Sequence, residues 1–222
     1  MATTVGPRPA VPKFRLRVPG VRTCRPMTDR DIEFFDRVAT RYDTHWIQWF
    51  ARPIHARLLR GVDAPEAVLD IGCGTGALLG ELGVRWPRAS LAGIDAAPGM
   101  AAAARRRLPG ADIRDGVAES LPWPEGAFDL VVTTLSFHHW RDKAQGIREA
   151  ARVLRPGGTF ILADITGDGV IGWIVERLRR VMNNHDAEFP PSARAAADMA
   201  SAGLGQVVVA HFRHYQLISG RR

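Results

Sequence analysis

The sequence predicts an α/β protein built on a mostly parallel sheet with helices on both faces, and three observations carry that expectation. A short apolar run, Ala67 to Ile71, ends in glycines at alternate positions, Gly72, Gly74 and Gly76, and passes at once into a helical pattern from Ala77. Beyond it, short apolar runs alternate with helical stretches, the rhythm of parallel strands joined by crossover helices. Near the end that rhythm breaks: Gln206 to Ala210 and Phe212 to Ile218 are β-rich runs with almost nothing between them, so they should pair antiparallel as a hairpin.

Composition sets the frame for the elements. The 222 residues, 46% hydrophobic and 24% charged, suit one soluble domain with room for a full sheet and its helices. No apolar run approaches the roughly eighteen residues that a membrane span needs. The basic N-terminus lacks the apolar core of a secretory signal. Cys24 and Cys73 stand far apart without metal-ligand spacing, which speaks against a disulfide scaffold or a metal site and for a reducing cytoplasm. The net charge is +7, but residues 1–26 hold six basic residues and no acid, which leaves +1 for everything after them. The domain therefore lacks the basic footprint of a nucleic-acid binder.

Residues 1–26, with Pro7, Pro9, Pro12, Pro19 and Pro26, read as a basic mobile arm ahead of a domain over 27–222, and Met27 is a candidate start of translation. Residues 27–62 read as a helical lid. Thr28-Asp29 is the expected cap of a first helix with Ile32, Phe35, Val38 and Ala39 on one face. A second helix is expected from about His45 to Arg60, interrupted near Pro53. Its stripe is Ile47, Phe50, Ala51, Ile54 and Leu58, flanked by Trp46 and Trp49, with Arg52, Arg57 and Arg60 on other faces. Packing over a ligand site is the ordinary role for such a helix, and peripheral contact with a membrane surface the alternative.

Residues 63–222 read as the core. Expected strands are 67–71, 90–94, 111–115, Phe128 to Thr133 and Phe160 to Asp164. The expected helices are 77–86, one begun by Pro98, and one capped by Asp142 and stopped by Pro156-Gly157-Gly158. Val170 to Asn184 and Ser192 to Ala202 are further helical stretches. The first carries Ile171, Ile174, Val175, Leu178 and Met182, either as core or as a wall of an acceptor pocket beyond the strand ends.

The glycine turn is where a ligand can lie against bare backbone. Gly72, Gly74 and Ala77 also fit a dinucleotide fingerprint, so a nicotinamide oxidoreductase is one reading. The carboxylate of Asp70 argues against it, because it would face a pyrophosphate at the strand end. S-adenosylmethionine, with an ammonium, a sulfonium and no phosphate, suits that charge. Asp95, following a second apolar run about twenty residues on, is placed to grip a ribose.

These residues resemble a known family. Asp70 to Gly76 is similar to motif I of the class I S-adenosylmethionine-dependent methyltransferases. Gly93-Ile94-Asp95 with Pro98 and Met100, the stretch Ala118 to Pro124 with Phe128 to Val131, Ser136-Phe137-His138-His139-Trp140, and Arg152 to Gly158 follow in order. The last two resemble the small-molecule branch that includes ubiquinone and menaquinone C-methyltransferases. The resemblance implies a Rossmann-like doubly wound sheet of seven strands, the last antiparallel. It also implies a cofactor set of Tyr42, Asp70, Gly72, Gly74, Gly76, Asp95, Ala96, Met100, Val117, Ala118 and Leu135, with Asp70 on the amino group and Asp95 on the ribose hydroxyls. One departure stands out: the family often reads Gly-Asp-Ala-Glu where this chain has Gly116-Val117-Ala118-Glu119. Valine cannot accept from an adenine amino group, which leaves backbone, apolar contact or Asp115 for that job.

Methyl transfer is chiefly a matter of positioning acceptor against methyl. His138 and His139 are the candidates for a general base, with a structural role in the loop as the alternative. The Asn/Asp-Pro-Pro-Tyr signature of base methylation is missing after the fourth strand, and no carboxylate cluster calls for a metal. The expected function is methylation of carbon or oxygen on a small acceptor that is quinone-like, a lipid or a secondary metabolite. A non-catalytic cofactor-binding partner subunit is the alternative of a different class.

Overall fold

The computed structural model describes residues 29–39, 42, 48–58, 62–166, 168, 177, 188–212 and 215–222. The arm over 1–26, the cap at Thr28, Trp46 ahead of the second helix and nearly all of Val170 to Asn184 lie outside these residues.

The elements run α1 (Asp29–Val38), α2 (Gln48–Leu58), β1 (Ala67–Ile71), α3 (Ala77–Arg85), β2 (Ser90–Asp95), α4 (Pro98–Arg107), β3 (Asp112–Asp115) and β4 (Phe128–Thr134). A 3-10 turn (Phe137–His139), α5 (Lys143–Val153), β5 (Leu154–Ile165), α6 (Ser192–Ser201), β6 (Gly205–His211) and β7 (Tyr215–Arg221) complete them. They build one seven-stranded sheet in the order β3-β2-β1-β4-β5-β7-β6. β1 to β5 are parallel, and β7 enters antiparallel between β5 and β6. The order reverses between β1 and β4, so a crevice opens beyond their C-terminal ends, where such sheets take ligands.

Alternation along the strands sorts the core into two layers. Leu69, Ile71, Val131, Phe160 and Leu162 face α5 and α6 through Ile147, Ala150, Ala195 and Met199. Val68, Leu130, Val132 and Ile161 face Leu78, Leu79 and Leu82 of α3, Ala101 and Ala104 of α4, and Leu58 of α2. All five residues of β1 are buried, as a central strand covered on both faces requires. The lid is joined to this body. Ile32, Phe35 and Val38 of α1, with Ala39, pack on Ala97 and Met100, and the Asp36 carboxylate accepts from Gly99 N at 2.7 Å in the first turn of α4.

Two expectations are corrected. α2 is not interrupted at Pro53 but runs through it; Pro53 is exposed while Ala51, Ile54 and Leu58 are buried. Packing of that stripe outweighs the one backbone hydrogen bond a proline forfeits. Nor does Pro156-Gly157-Gly158 stop α5. The helix ends at Val153 and β5 starts at Leu154, with the Pro-Gly-Gly inside the strand. Leu154 pairs with Phe128 and Thr159 with Leu130, so four residues bulge opposite Asp129 and the missing proline N–H has no ladder bond to make. The cap at the other end of α5 is as expected: Asp142 accepts from Gln145 N at 2.9 Å. Among the described residues no helix is long and apolar enough to cross a membrane.

Candidate active site

The crevice beyond β1 and β4 is walled by five pieces of chain. Asp70 to Thr75 with Ala77 and Leu78 form its base, and Ile94, Asp95, Ala96 and Met100 form one side. Gly116 to Glu119 form another, and Thr134 to Ser136 with His139 to Arg141 a third. Ile32, Phe35, Tyr42, Ala51 and His55 of the lid close over it. Of the residues expected in the site, Tyr42, Asp70, Gly72, Gly74, Asp95, Ala96, Met100, Val117, Ala118, Leu135 and His139 line this one cleft.

Gly76 and His138 do not. Gly76, at φ 77°, opens α3 and turns toward α4: a side chain there would meet Ala104 and Leu108 at 3.2 Å. Its role is close helix packing. His138 is buried behind the cleft, its Nδ1 2.8 Å from the Asp164 carboxylate, which also accepts from the backbone N–H of His138. Phe189 stacks on its ring at 4.7 Å.

Asp70 is 1% exposed, and its Oδ1 has no hydrogen-bond partner among the described residues. Burial, followed by the charge of Asp95, pushes its carboxyl up to about 8. A buried carboxylate left short of donors is costly unless a ligand supplies one. Asp95 is held differently. Its oxygens accept from Gly74 N at 2.8 Å and Ala97 N at 2.9 Å, so it ties the glycine turn to the start of α4. Burial raises its carboxyl above the usual range while those two N–H donors pull it down. Cys73 fits as a small buried side chain, its thiol pushed up by burial. At the departure from the family pattern, Val117 is 40% exposed on the cleft wall. Asp115 is engaged elsewhere, with Arg105 at 2.7 Å, and takes no part in the lining.

His139 reaches the cleft edge-on to Phe35, with ring centroids 5.4 Å apart. Its Nδ1 is buried without a partner among the described residues. Burial, then the nearby His138 and Lys143, hold it well below the ordinary histidine range, so it stays neutral at physiological pH. Sequence reasoning missed Asp164, Ser136 and His55. Asp164 lies near the end of β5 and His138 in the turn after the neighbouring β4, a juxtaposition that only the strand order reveals.

Ser136 makes Gly72 obligatory. A side chain at Gly72 would put its Cβ 1.9 Å from Ser136 Oγ, at a φ of 74°. Left-handed backbone alone costs a non-glycine residue about 1–2 kcal/mol, and the clash adds to it. Gly72→Ala is therefore expected to lower the denaturation midpoint clearly and to abolish ligand binding. A variant that melts with the parent would contradict the described turn.

Residues 69–162 match the family described as a methyltransferase domain. A demethylmenaquinone methyltransferase of Thermus thermophilus is 34% identical over 142 residues, covering 59% of this chain and 63% of that protein. A malonyl-[acyl-carrier protein] O-methyltransferase of Dechloromonas aromatica is 37% identical over 143 residues, covering 64% of this chain and 52% of that protein. Both matches thus span less than two thirds of the relative's length. Among solved structures, PigF with SAH superposes with a TM-score of 0.73 at 22% identity, over 89% of this chain and 63% of that one, a likeness of fold. The strand order, the glycine turn below a buried carboxylate and the family match agree on a methyltransferase domain over residues 69–162.

Proposed function

We propose that the protein transfers a methyl group from S-adenosylmethionine to carbon or oxygen of a small organic acceptor of the quinone, lipid or secondary-metabolite kind, in a reducing cytoplasm and without a nucleic-acid partner. One observation carries the reading: Asp70 presents a buried carboxylate oxygen lacking a donor, at the base of a glycine-walled cleft. That group calls for a cation such as the ligand's ammonium, and no phosphate could sit against it. Asp95 would take the ribose hydroxyls with the lone pairs its two backbone bonds leave over. Val117, Ala118, Met100 and Leu135 would flank the adenine by apolar and backbone contact. When bound, the cofactor supplies a methyl on a sulfonium sulfur, which keeps the carbon–sulfur bonding pair.

The chain's own contribution is to hold the acceptor in line and to receive its proton. His139, which lines the cleft and is held neutral by burial, is the residue for that task. His138, fixed by Asp164, sets the geometry of the turn that carries His139. The relatives named for demethylmenaquinone and for a malonyl-[acyl-carrier protein] support the choice of carbon or oxygen, the first having a quinone-type acceptor and the second an oxygen acceptor.

Thermal denaturation with ligand tests the reading. S-adenosylhomocysteine at a hundred times its dissociation constant should stabilise the fold by about 2.7 kcal/mol. For a domain of this size that corresponds to a rise of roughly 5–10 °C in Tm. A rise with NAD and none with S-adenosylmethionine or its demethylated product would sink the proposal. An acceptor screen with radiolabelled methyl donor then separates a catalyst from a non-catalytic binding subunit.

A further inference from the structure

We infer that His55, on the lid helix α2, reads the carboxylate of the ligand's amino-acid end and so makes the lid part of the cofactor site; the inference rests on the reading proposed above. His55 is 4% exposed and lines the same cleft as Asp70, with Ala51 one turn before it on α2. A buried imidazole on an otherwise apolar stripe needs partners for two nitrogens. One is accounted for: Nδ1 lies 3.2 Å from Glu81 Oε1 on α3. A carboxylate oxygen only accepts at neutral pH, so Nδ1 carries the hydrogen and Nε2 is the ring atom left to offer the cleft.

A second observation puts an anion at the same place. α3 begins immediately after Gly76, and no side chain caps its first turn. Ala77 and Leu78 of that turn line the cleft, so its backbone N–H groups and the positive end of the helix dipole face a ligand there. Glu81, one turn further along α3, holds His55 over this end of the cleft. A zwitterionic amino-acid tail suits the pair of sites. Its ammonium meets the unsatisfied oxygen of Asp70, and its carboxylate meets Nε2–H of His55 with the start of α3. Donation from both nitrogens requires a hydrogen on each, which sets the ring between two acceptors, the Glu81 carboxylate and the ligand's.

The assignment gives α2 a function beyond covering the cleft. His55 contacts the ligand through one nitrogen and α3 through the other, so docking of the lid and retention of the cofactor support each other. A ligand without the carboxylate loses that link while keeping its salt bridge to Asp70.

Isothermal titration of the full-length protein with two ligands provides the test. S-adenosylhomocysteine carries both charged groups; its decarboxylated analogue, S-adenosyl-3-thiopropylamine, keeps the ammonium alone. The parent should prefer the first by about tenfold or more, the size of one charge-assisted hydrogen bond. His55→Ala should abolish most of that preference by weakening S-adenosylhomocysteine while leaving the analogue's affinity nearly unchanged. His55→Gln, whose amide can still donate where Nε2 does, should restore part of it. The ratio of the two affinities is unaffected by a partly unfolded sample, so a destabilised variant still answers. A parent that binds both equally, or a His55→Ala that loses both in proportion, overturns the inference and leaves the methyltransferase reading standing. A parent that binds neither overturns both.

Discussion

Asp70→Asn is expected to weaken S-adenosylhomocysteine binding by about a hundredfold or more, because removing one partner of a buried ion pair costs roughly 3–5 kcal/mol. The same change is expected to make the empty protein more stable at neutral and alkaline pH. The sign follows from linkage. Burial and Asp95 raise the folded carboxyl to about 8, against a value of 3.8 in the unfolded chain. Between those two values the folded protein holds a proton that the unfolded chain has released, so stability falls as pH rises through that window. Below it the group contributes no penalty; above it the penalty is complete. Asparagine removes this slope, and the slope from Asp95, whose carboxyl is raised in the same direction, remains. Ligand-free melting curves between pH 5 and 9 should therefore diverge as pH rises, with the variant higher. If they superimpose, or if the variant binds S-adenosylhomocysteine as tightly as the parent, Asp70 does not face the ligand's ammonium. A site that destabilises its own empty fold in order to hold a cation is a familiar trade between function and stability.

The parts of this site legible in the sequence are those whose physics is local. Asp70, Gly72 and Gly74 lie within five residues on one strand-to-turn transition, and Asp95 closes the next strand; apolar runs and glycine spacing place all four. Gly76 shares the motif, but its conformation serves a contact with α4, thirty residues away in the chain, which spacing cannot distinguish from ligand contact. The end of α5 was hidden for the same reason. The carbonyls of Arg152 in its last turn and of Leu154 just beyond it accept from the Arg222 guanidinium, and Gly157 and Gly158 pair with the backbone of Arg222. With those bonds supplied from a distant part of the chain, Pro-Gly-Gly does not have to end the helix and becomes a bulge in β5. His55 went unread because it flanks the apolar stripe of α2, and only the position of Glu81 on another helix gives its ring a direction. The strand order was recoverable from the alternation and the hairpin, whereas the pairing of His138 with Asp164 needed that order first.

His139→Ala is expected to lower turnover by about a hundredfold or more, the usual contribution of a positioned general base, with cofactor affinity almost unchanged. His139 lines the cleft and its buried Nδ1 has no partner among the described residues, whereas His138 spends its Nδ1 on Asp164 behind the wall. The two substitutions should therefore differ in kind. His138→Ala leaves the buried Asp164 carboxylate short of a donor and should lower stability, with turnover falling only as the turn loosens. The pH profile separates the roles further. An ordinary histidine base loses activity as pH falls through about 6.5. Burial and the neighbouring His138 and Lys143 keep His139 well below that, so its acid limb should lie correspondingly lower and turnover should hold through mildly acidic solution. The same depression makes it a weak base, matched to acceptors whose proton is already acidic, such as enols and phenols. The deficit of His139→Ala should then shrink with acceptors that are ionised before they bind. Near-normal turnover in both single variants would mean that the chain catalyses by positioning alone and that the paired histidines only hold the turn.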